Sequence, residues 1–103
     1  MSTQAFSPQL LPQSLAVTAA AQSIAWNTLV PLIGPQSQVG RFANMGTQVI
    51  YWLQDLVNTI TVANGTPMAA NSIETFTLKP GVPVQVIAPA TGSTLTISMG
   101  EGV

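Results

Sequence analysis

The sequence predicts an all-β fold, an antiparallel β-sandwich or jelly roll of about seven or eight short strands with an extended N-terminal arm. From Leu15 onward, apolar and polar residues alternate with a period of two, which is typical of strands with one buried face. Asn, Gly and Pro turn signals recur about every 10–13 residues. No segment has the period of an amphipathic helix. The length of 103 residues fits one such domain.

The start of the chain is predicted to be the arm. Residues 1–14 have no clean period, and their prolines stand among several glutamines, which favours an extended, polyproline-like chain. We expect residues 15–103 to form the β-domain and the arm to reach a neighbouring subunit. The candidate contact residues on the arm are Pro8, Leu10 and Leu11.

The first half of the domain is predicted to contain strands on either side of a long connection. Residues 15–17 alternate as a strand, and residues 27–38 contain two prolines and a glycine, which favour a crossing connection. A second strand over residues 39–43 is expected to end in a turn at Asn44 and Gly46.

The strand predicted over residues 47–53 is apolar on both faces. A strand of this kind is covered on both sides, by its own core and by a partner or a loop. Ile50 and Trp52 are therefore candidate interface anchors, together with Trp26. Because aromatic residues dominate both cores and interfaces, packing of the two tryptophans in the core is the alternative.

The second half of the chain alternates more clearly. Four strands are predicted, over residues 59–62, 73–78, 82–86 and 94–99. A hairpin-type turn is expected at Asn64 and Gly65, because both residues tolerate a positive φ. A second turn is expected at Pro80 and Gly81, where proline presets φ and glycine follows.

Glu74 shares a strand face with Phe76 and Leu78, so it is predicted to point inward. A buried carboxylate needs a partner, and Arg41 is the only arginine of the chain. A guanidinium can bind a carboxylate through two hydrogen bonds. We therefore predict an Arg41–Glu74 pair that sets the strand register. The alternative is that Glu74 lies in water at the end of its strand.

Charged residues are scarce: two are basic and three acidic, and neither His nor Cys is present. Ser, Thr, Asn and Gln supply 34 of the 103 residues, so the polar surface is mostly neutral. Two basic residues cannot form a phosphate-binding stripe, and we expect no nucleic-acid partner. No run approaches the ~20 apolar residues of a membrane span, and we expect no signal peptide and no membrane partner. With these residue types we expect no catalytic site, metal site or cofactor.

The sequence GRFANMGT at residues 40–47, followed by VIY at residues 49–51, resembles small virion proteins of tailed bacteriophages. In those proteins a strand with Arg and Asn leads through Gly to an aromatic-rich strand. The later runs that are similar to their second half are residues 69–78, 80–81 and 94–102. The resemblance covers residues 15–103 and leaves the arm outside it.

This resemblance implies a capsid decoration (cement) protein that bridges copies of the major capsid protein. We expect it to act as a homo-oligomer, a trimer or a dimer, on the exterior of a virion assembled in the host cytoplasm. One alternative is a head-fibre or tail accessory subunit. The other is a host-surface carbohydrate-binding module that uses Trp26, Tyr51 or Trp52. An open groove lined by these aromatic residues would favour the carbohydrate-binding module.

Overall fold

The computed structural model describes residues 7–8, 13–29 and 39–101. These residues form two antiparallel β-sheets and one helical turn, which confirms the mostly β prediction and is consistent with a sandwich. The elements are β1 (Ser7–Pro8), β2 (Gln13–Val17), β3 (Gln22–Ile24), α1 (Trp26–Leu29), β4 (Val39–Gly46), β5 (Ile50–Leu53), β6 (Thr66–Met68), β7 (Ser72–Thr77), β8 (Val84–Ile87) and β9 (Ser93–Glu101).

The first sheet has the strand order β1-β9-β4-β7, with β2 also beside β9, and the second has the order β3-β8-β5-β6. Ser7 pairs with Glu101, and Gln13 pairs with Ile97. Because β4 occupies the other edge of β9, β1 and β2 lie one after the other along the same edge.

The first sheet includes part of the segment that we assigned to the arm. β1 and the first two residues of β2 lie within residues 1–14, so the predicted boundary between arm and domain falls inside β2. Leu10 and Leu11 are outside the described residues, and Pro8 belongs to β1.

The strands of the two sheets pair in nested order along the chain. β5 pairs with β6, β4 with β7, β3 with β8 and β2 with β9. The four strands from β2 to β5 are therefore followed by four more, β6 to β9, which pair with them in reverse order. As a result, residues distant in sequence become direct partners, as with Val17 and Ser93.

The core lies between the sheets and contains a cluster of three aromatic rings. The Phe42 ring centroid is 5.1 Å from that of Trp52 and 5.2 Å from that of Phe76, and Trp52 and Phe76 are 4.6 Å apart. Phe42 and Phe76 belong to the first sheet and Trp52 to the second, so the cluster joins the sheets. Full burial of Phe42 contributes roughly 1.5–3 kcal/mol, and each aromatic pair adds roughly 0.5–1.5 kcal/mol.

The turn predicted at Asn44 and Gly46 must be corrected, because β4 continues through both residues. Asn44 is fully buried, and its Nδ2 donates to the carbonyl oxygens of Gln48 at 2.8 Å and Met68 at 3.1 Å. A Cβ at Gly46 would clash with the carbonyl oxygen of Gly92. Both residues therefore serve close packing inside the strand, and the chain turns after them.

The other two predicted turns lie in turns of the structure, for different reasons. Gly81 has φ +80° and the backbone N–H of Val82 donates to Lys79, as at the third position of a type II turn. Gly65 has no positive φ, and its backbone N–H donates to Thr61 at 3.2 Å. A Cβ at Gly65 would lie 2.7 Å from that of Tyr51, so close packing explains this glycine.

We expect Asn44→Ala to lower the free energy of unfolding by about 2 kcal/mol or more. The substitution removes two hydrogen bonds of a buried side chain, each worth about 0.5–1.5 kcal/mol, while the Gln48 carbonyl oxygen keeps its bond from Ser93 Oγ at 2.9 Å. Urea denaturation measures the effect as a lower midpoint at an unchanged slope. The control is Thr94→Ala on the exposed side of β9, and equal midpoints for the two variants would contradict the role of Asn44.

Candidate functional site

The long connection between β5 and β6, residues 54–65, folds back over the outer face of the second sheet. Ile60, in the middle of this connection, is only 1% exposed. Its backbone N–H donates to Gln85 Oε1 at 2.9 Å, and Gln85 stands between the core residues Val84 and Val86 of β8. The strand predicted over residues 59–62 is therefore wrong, since these residues belong to the covering connection.

Gln85 fastens the connection to β8. In addition to the bond from Ile60, its Nε2 donates to the carbonyl oxygens of Asp55 at 3.1 Å and Asn58 at 2.8 Å. One side chain of the sheet therefore holds three backbone groups of the connection. Replacing this amide with an apolar side chain would release all three.

Gln54 fastens the start of the connection to the segment between β7 and β8. It is buried, and its Oε1 accepts the backbone N–H of Lys79 at 2.7 Å. Its Nε2 donates to the carbonyl oxygens of Lys79 at 3.1 Å and Val82 at 2.9 Å. The connection is thus held at its start by Gln54 and further along by Gln85.

Asp55 orders the segment between these two anchors. Its Oδ1 accepts the backbone N–H groups of Val57 at 2.7 Å and Asn58 at 3.0 Å, and its Oδ2 accepts Asn58 Nδ2 at 2.9 Å. The bond from the Asn58 side chain, followed by the two backbone bonds, lowers the pKa of Asp55 from 3.8 to about 2. Bonds that favour the charged carboxylate therefore fix the conformation of residues 55–58.

Leu56 and Val57 project from this ordered segment into solvent, and we refer to them as the loop tip. Leu56 is 77% exposed and Val57 is 89% exposed. Single exposed apolar residues are common, but here two adjacent ones stand on a segment that hydrogen bonds already hold in place. A preordered segment loses less conformational entropy when a partner binds. The loop tip is therefore the strongest candidate contact site in the described structure.

A second candidate surface is the outer side of the first sheet, which we call the neutral face. Its residues come from β2, β9, β4 and β7 and share one face by register: Ser14, Ala16, Thr94, Thr96, Ser98, Arg41, Ala43, Met45, Ile73, Thr75 and Thr77. Ser14 and Thr96 hydrogen-bond through their hydroxyl oxygens at 3.0 Å. Met45 and Ile73 are exposed. Arg41 is the only charged residue in this set, so partners of either sign meet little long-range field.

The structure does not bring Arg41 and Glu74 together in the predicted way. Arg41 stands opposite Thr75, whereas Glu74 stands opposite Phe42. Side chains of adjacent positions in a strand leave opposite faces of the sheet, so Arg41 is on the neutral face and Glu74 on the core side. Glu74 is nevertheless exposed because β7 is at the edge of its sheet, which agrees with the alternative of a solvated carboxylate.

The predicted interface anchors on the domain lie inside it. Ile50 is fully buried, Trp26 is 8% exposed, and Trp52 packs against the core. Their interpretation as interface residues must therefore be corrected. The other face of β5, with Tyr51 and Leu53, lies on the side that the β5–β6 connection covers, so a loop of the same chain explains why both faces of the strand are apolar.

Sequence reasoning missed the loop tip, although the sequence contained a signal for it. Residues 54–58 lie between the strands predicted over residues 47–53 and 59–62, and the alternation of apolar and polar residues predicts no contact site there. Asp and Asn side chains commonly hydrogen-bond backbone groups two or three residues further on, which makes Asp55 before Leu56 and Val57 a recognisable ordering element.

No protein-family model, curated protein or solved structure matches this chain. Within the described residues, no helix has the length and apolar character needed to cross a bilayer. Groups of three potential metal-ligating residues are also absent from that part of the chain. A functional proposal therefore rests on the loop tip, the neutral face and the resemblance in sequence.

We expect the amide signals of Val57 and Asn58 to titrate with a midpoint near pH 2 in the folded protein. Because folding lowers the pKa of Asp55 from 3.8 to about 2, its stabilising contribution is present above pH 3.8 and is lost as the pH falls through about 2. Two-dimensional NMR across this range measures the midpoint. Asp55→Asn is the control that should abolish the titration, and a midpoint near 3.8 would contradict the hydrogen-bonded arrangement.

Proposed function

We propose that this protein is a capsid decoration (cement) protein of a tailed bacteriophage. It binds the major capsid protein on the exterior of the virion and stabilises the head by bridging neighbouring capsid subunits. The observation that supports this role best is the ordered β5–β6 connection, which holds Leu56 and Val57 out in solvent. The resemblance in sequence supplies the virion setting, and assembly takes place in the host cytoplasm.

We further propose that the domain is a jelly roll. Eight of the described strands give the two orders β2-β9-β4-β7 and β3-β8-β5-β6. These orders support the assignment, because a jelly roll is a ribbon of four antiparallel strand pairs that folds over on itself. Jelly rolls occur in viral capsid domains and also in lectins and other proteins. The fold alone therefore leaves the function open, and the surfaces carry the argument.

The loop tip would supply the main attraction to the capsid. Full burial of an exposed Leu or Val side chain contributes roughly 1.5–3 kcal/mol, and the hydrogen bonds of Asp55 limit the ordering cost. A single such contact gives modest affinity. A homo-oligomer on a repeating lattice engages several sites at once, which strengthens attachment by avidity.

The neutral face would form a second, broader contact. Hydroxyl and small apolar side chains lose less hydration free energy on burial than charged ones. With few charges on either contact surface, the attachment should depend only weakly on salt, in contrast to one built from ion pairs.

The carbohydrate-binding alternative is weakened because the structure does not gather its three aromatic residues in one pocket. Trp26 and Trp52 pack in the core, and Tyr51 lies against the β5–β6 connection at Gly65. Trp52 is half-buried and borders a surface pocket with Leu53, Thr66 and Lys79, but Trp26 and Tyr51 are not among the residues that line it. A head-fibre or tail subunit would use the same exposed surfaces, and capsid binding distinguishes it from a decoration protein.

The decisive experiment mixes the purified protein with expanded, undecorated capsids of a phage that encodes it. We expect the protein to cosediment with the capsids at a fixed ratio to the major capsid protein and to raise the temperature at which they rupture. Binding that changes little with added salt would agree with the neutral contact surfaces. Absence of binding to these capsids, with binding to tail or fibre assemblies instead, would overturn the decoration role.

The contribution of the loop tip is tested by the double variant Leu56→Ser/Val57→Ser. Loss of two buried apolar side chains should weaken capsid binding at least about tenfold, with little change in the unfolding midpoint because both residues are exposed. Val62→Ser is the matched control, since Val62 is 48% exposed on the same connection. Equal capsid affinity of the double variant and the control would contradict a contact at the loop tip.

A further inference from the structure

The last part of the β5–β6 connection is held by the side-chain amide of Asn64. Its Nδ2 donates to the carbonyl oxygen of Thr59 at 3.1 Å, and its Oδ1 accepts the backbone N–H of Thr61 at 2.8 Å. These two residues stand on either side of Ile60, which is 1% exposed. Asn64 therefore holds the backbone on both sides of the buried residue, while Gln85 holds the backbone N–H of Ile60 from the sheet.

Asn64 is followed by glycine, which leaves its side chain open to an intramolecular reaction. When hydroxide removes the backbone proton of Gly65, the nitrogen can attack Cγ of Asn64 and form a C–N bond that closes a five-membered succinimide ring. The Cγ–Nδ2 bond breaks, and Nδ2 takes a proton from water and leaves as ammonia. Water then opens the ring at either carbonyl, which gives aspartate or isoaspartate. Glycine has no Cβ to hinder the attack, and Asn64 is exposed to water.

The folded connection uses the two donors that this reaction removes. The backbone N–H of Gly65 donates to the carbonyl oxygen of Thr61 at 3.2 Å, and the Nδ2 group that leaves as ammonia donates to Thr59. Ring closure therefore breaks both hydrogen bonds, and the succinimide has no donor with which to form them again. We expect the turn to leave its folded conformation before the reaction takes place, through a local opening.

We propose that Asn64–Gly65 is a deamidation site that the β5–β6 connection protects while it is fastened to the sheet and that local release of the connection exposes. The reactants are the chain itself, hydroxide and water. The inference goes beyond the proposed function and does not depend on the capsid.

Neither product can restore the original turn. An aspartate side chain at position 64 only accepts hydrogen bonds, so the carbonyl oxygen of Thr59 loses its donor. Isoaspartate lengthens the backbone directly before Gly65, where even an added Cβ would lie 2.7 Å from that of Tyr51. Deamidation is therefore a one-way change that loosens the connection around Ile60.

The rate of deamidation tests the protection. The protein is kept in mildly alkaline buffer, either folded or unfolded in urea, and aspartate and isoaspartate at position 64 are measured by peptide mapping with mass spectrometry. A synthetic peptide of residues 59–69 in the same two solutions corrects for the effect of urea on the reaction. We expect the folded protein to react at least about tenfold more slowly, because two hydrogen bonds must break first. Equal corrected rates, or no reaction in the unfolded chain, would overturn the proposal.

Two glutamine variants test whether release of the connection exposes the site. Gln85→Met removes the three hydrogen bonds that fasten the connection to β8 and should raise the rate at Asn64 in the folded protein at least about tenfold. Gln22→Met is the matched control, since its amide oxygen accepts the backbone N–H of Thr18 at 3.2 Å, outside the connection. Equal acceleration by both variants would assign the exposure to global unfolding and would overturn protection by the connection.

Hydrogen exchange of the Ile60 backbone amide tests the loosening. Asn64→Asp reproduces one product, and we expect it to raise the exchange rate of this amide at least about tenfold, because a donor next to Ile60 is lost. Ala63→Asp adds the same charge at the neighbouring exposed position but keeps the Asn64 amide, so it should leave the rate unchanged. Unchanged exchange in Asn64→Asp, or equal acceleration in both variants, would overturn the loosening.

Discussion

The packing of Trp52 against Phe42 and Phe76 is the contact on which the other features of this protein depend. It sets the distance between the two sheets, since its rings come from both of them. Only at that distance can Asn44 of the first sheet reach the carbonyl oxygen of Met68 in the second. The aromatic cluster thus supplies the attraction between the sheets, and the buried amide supplies a specific alignment.

Side-chain amides do in this protein much of what ion pairs do in others. Gln54 and Gln85 each make three hydrogen bonds that tie distant segments together, and neither residue titrates. Asp55 adds a charged acceptor with a pKa held well below its ordinary value. The scarcity of charge is therefore compatible with an ordered surface, because neutral donors and acceptors can be fully satisfied without any partner of opposite sign.

Alternation in the sequence predicted β8 and β9, where the apolar residues at every second position are buried. In the edge strand β7, burial does not follow this period, since Ile73 and Glu74 are both exposed. Alternation failed at Ile60, whose burial comes from a loop folded over the sheet rather than from a strand. It also misjudged Asn44, since a buried polar residue and a turn residue look alike until the acceptors are known. The prediction of an Arg41–Glu74 pair failed because the register between two paired strands decides which of their residues lie opposite each other. The alternation within each strand does not give that register.

The position of β9 in the first sheet has a consequence for biosynthesis. β9 lies between β4 on one side and β1 and β2 on the other, yet it is the last of the described strands to be synthesised. Until it emerges, β2 has no partner and β4 is paired on one side at most, so the nascent domain cannot complete its core. The first sheet can therefore close only after β9 has been synthesised, and until then β2 and β4 keep unpaired edges.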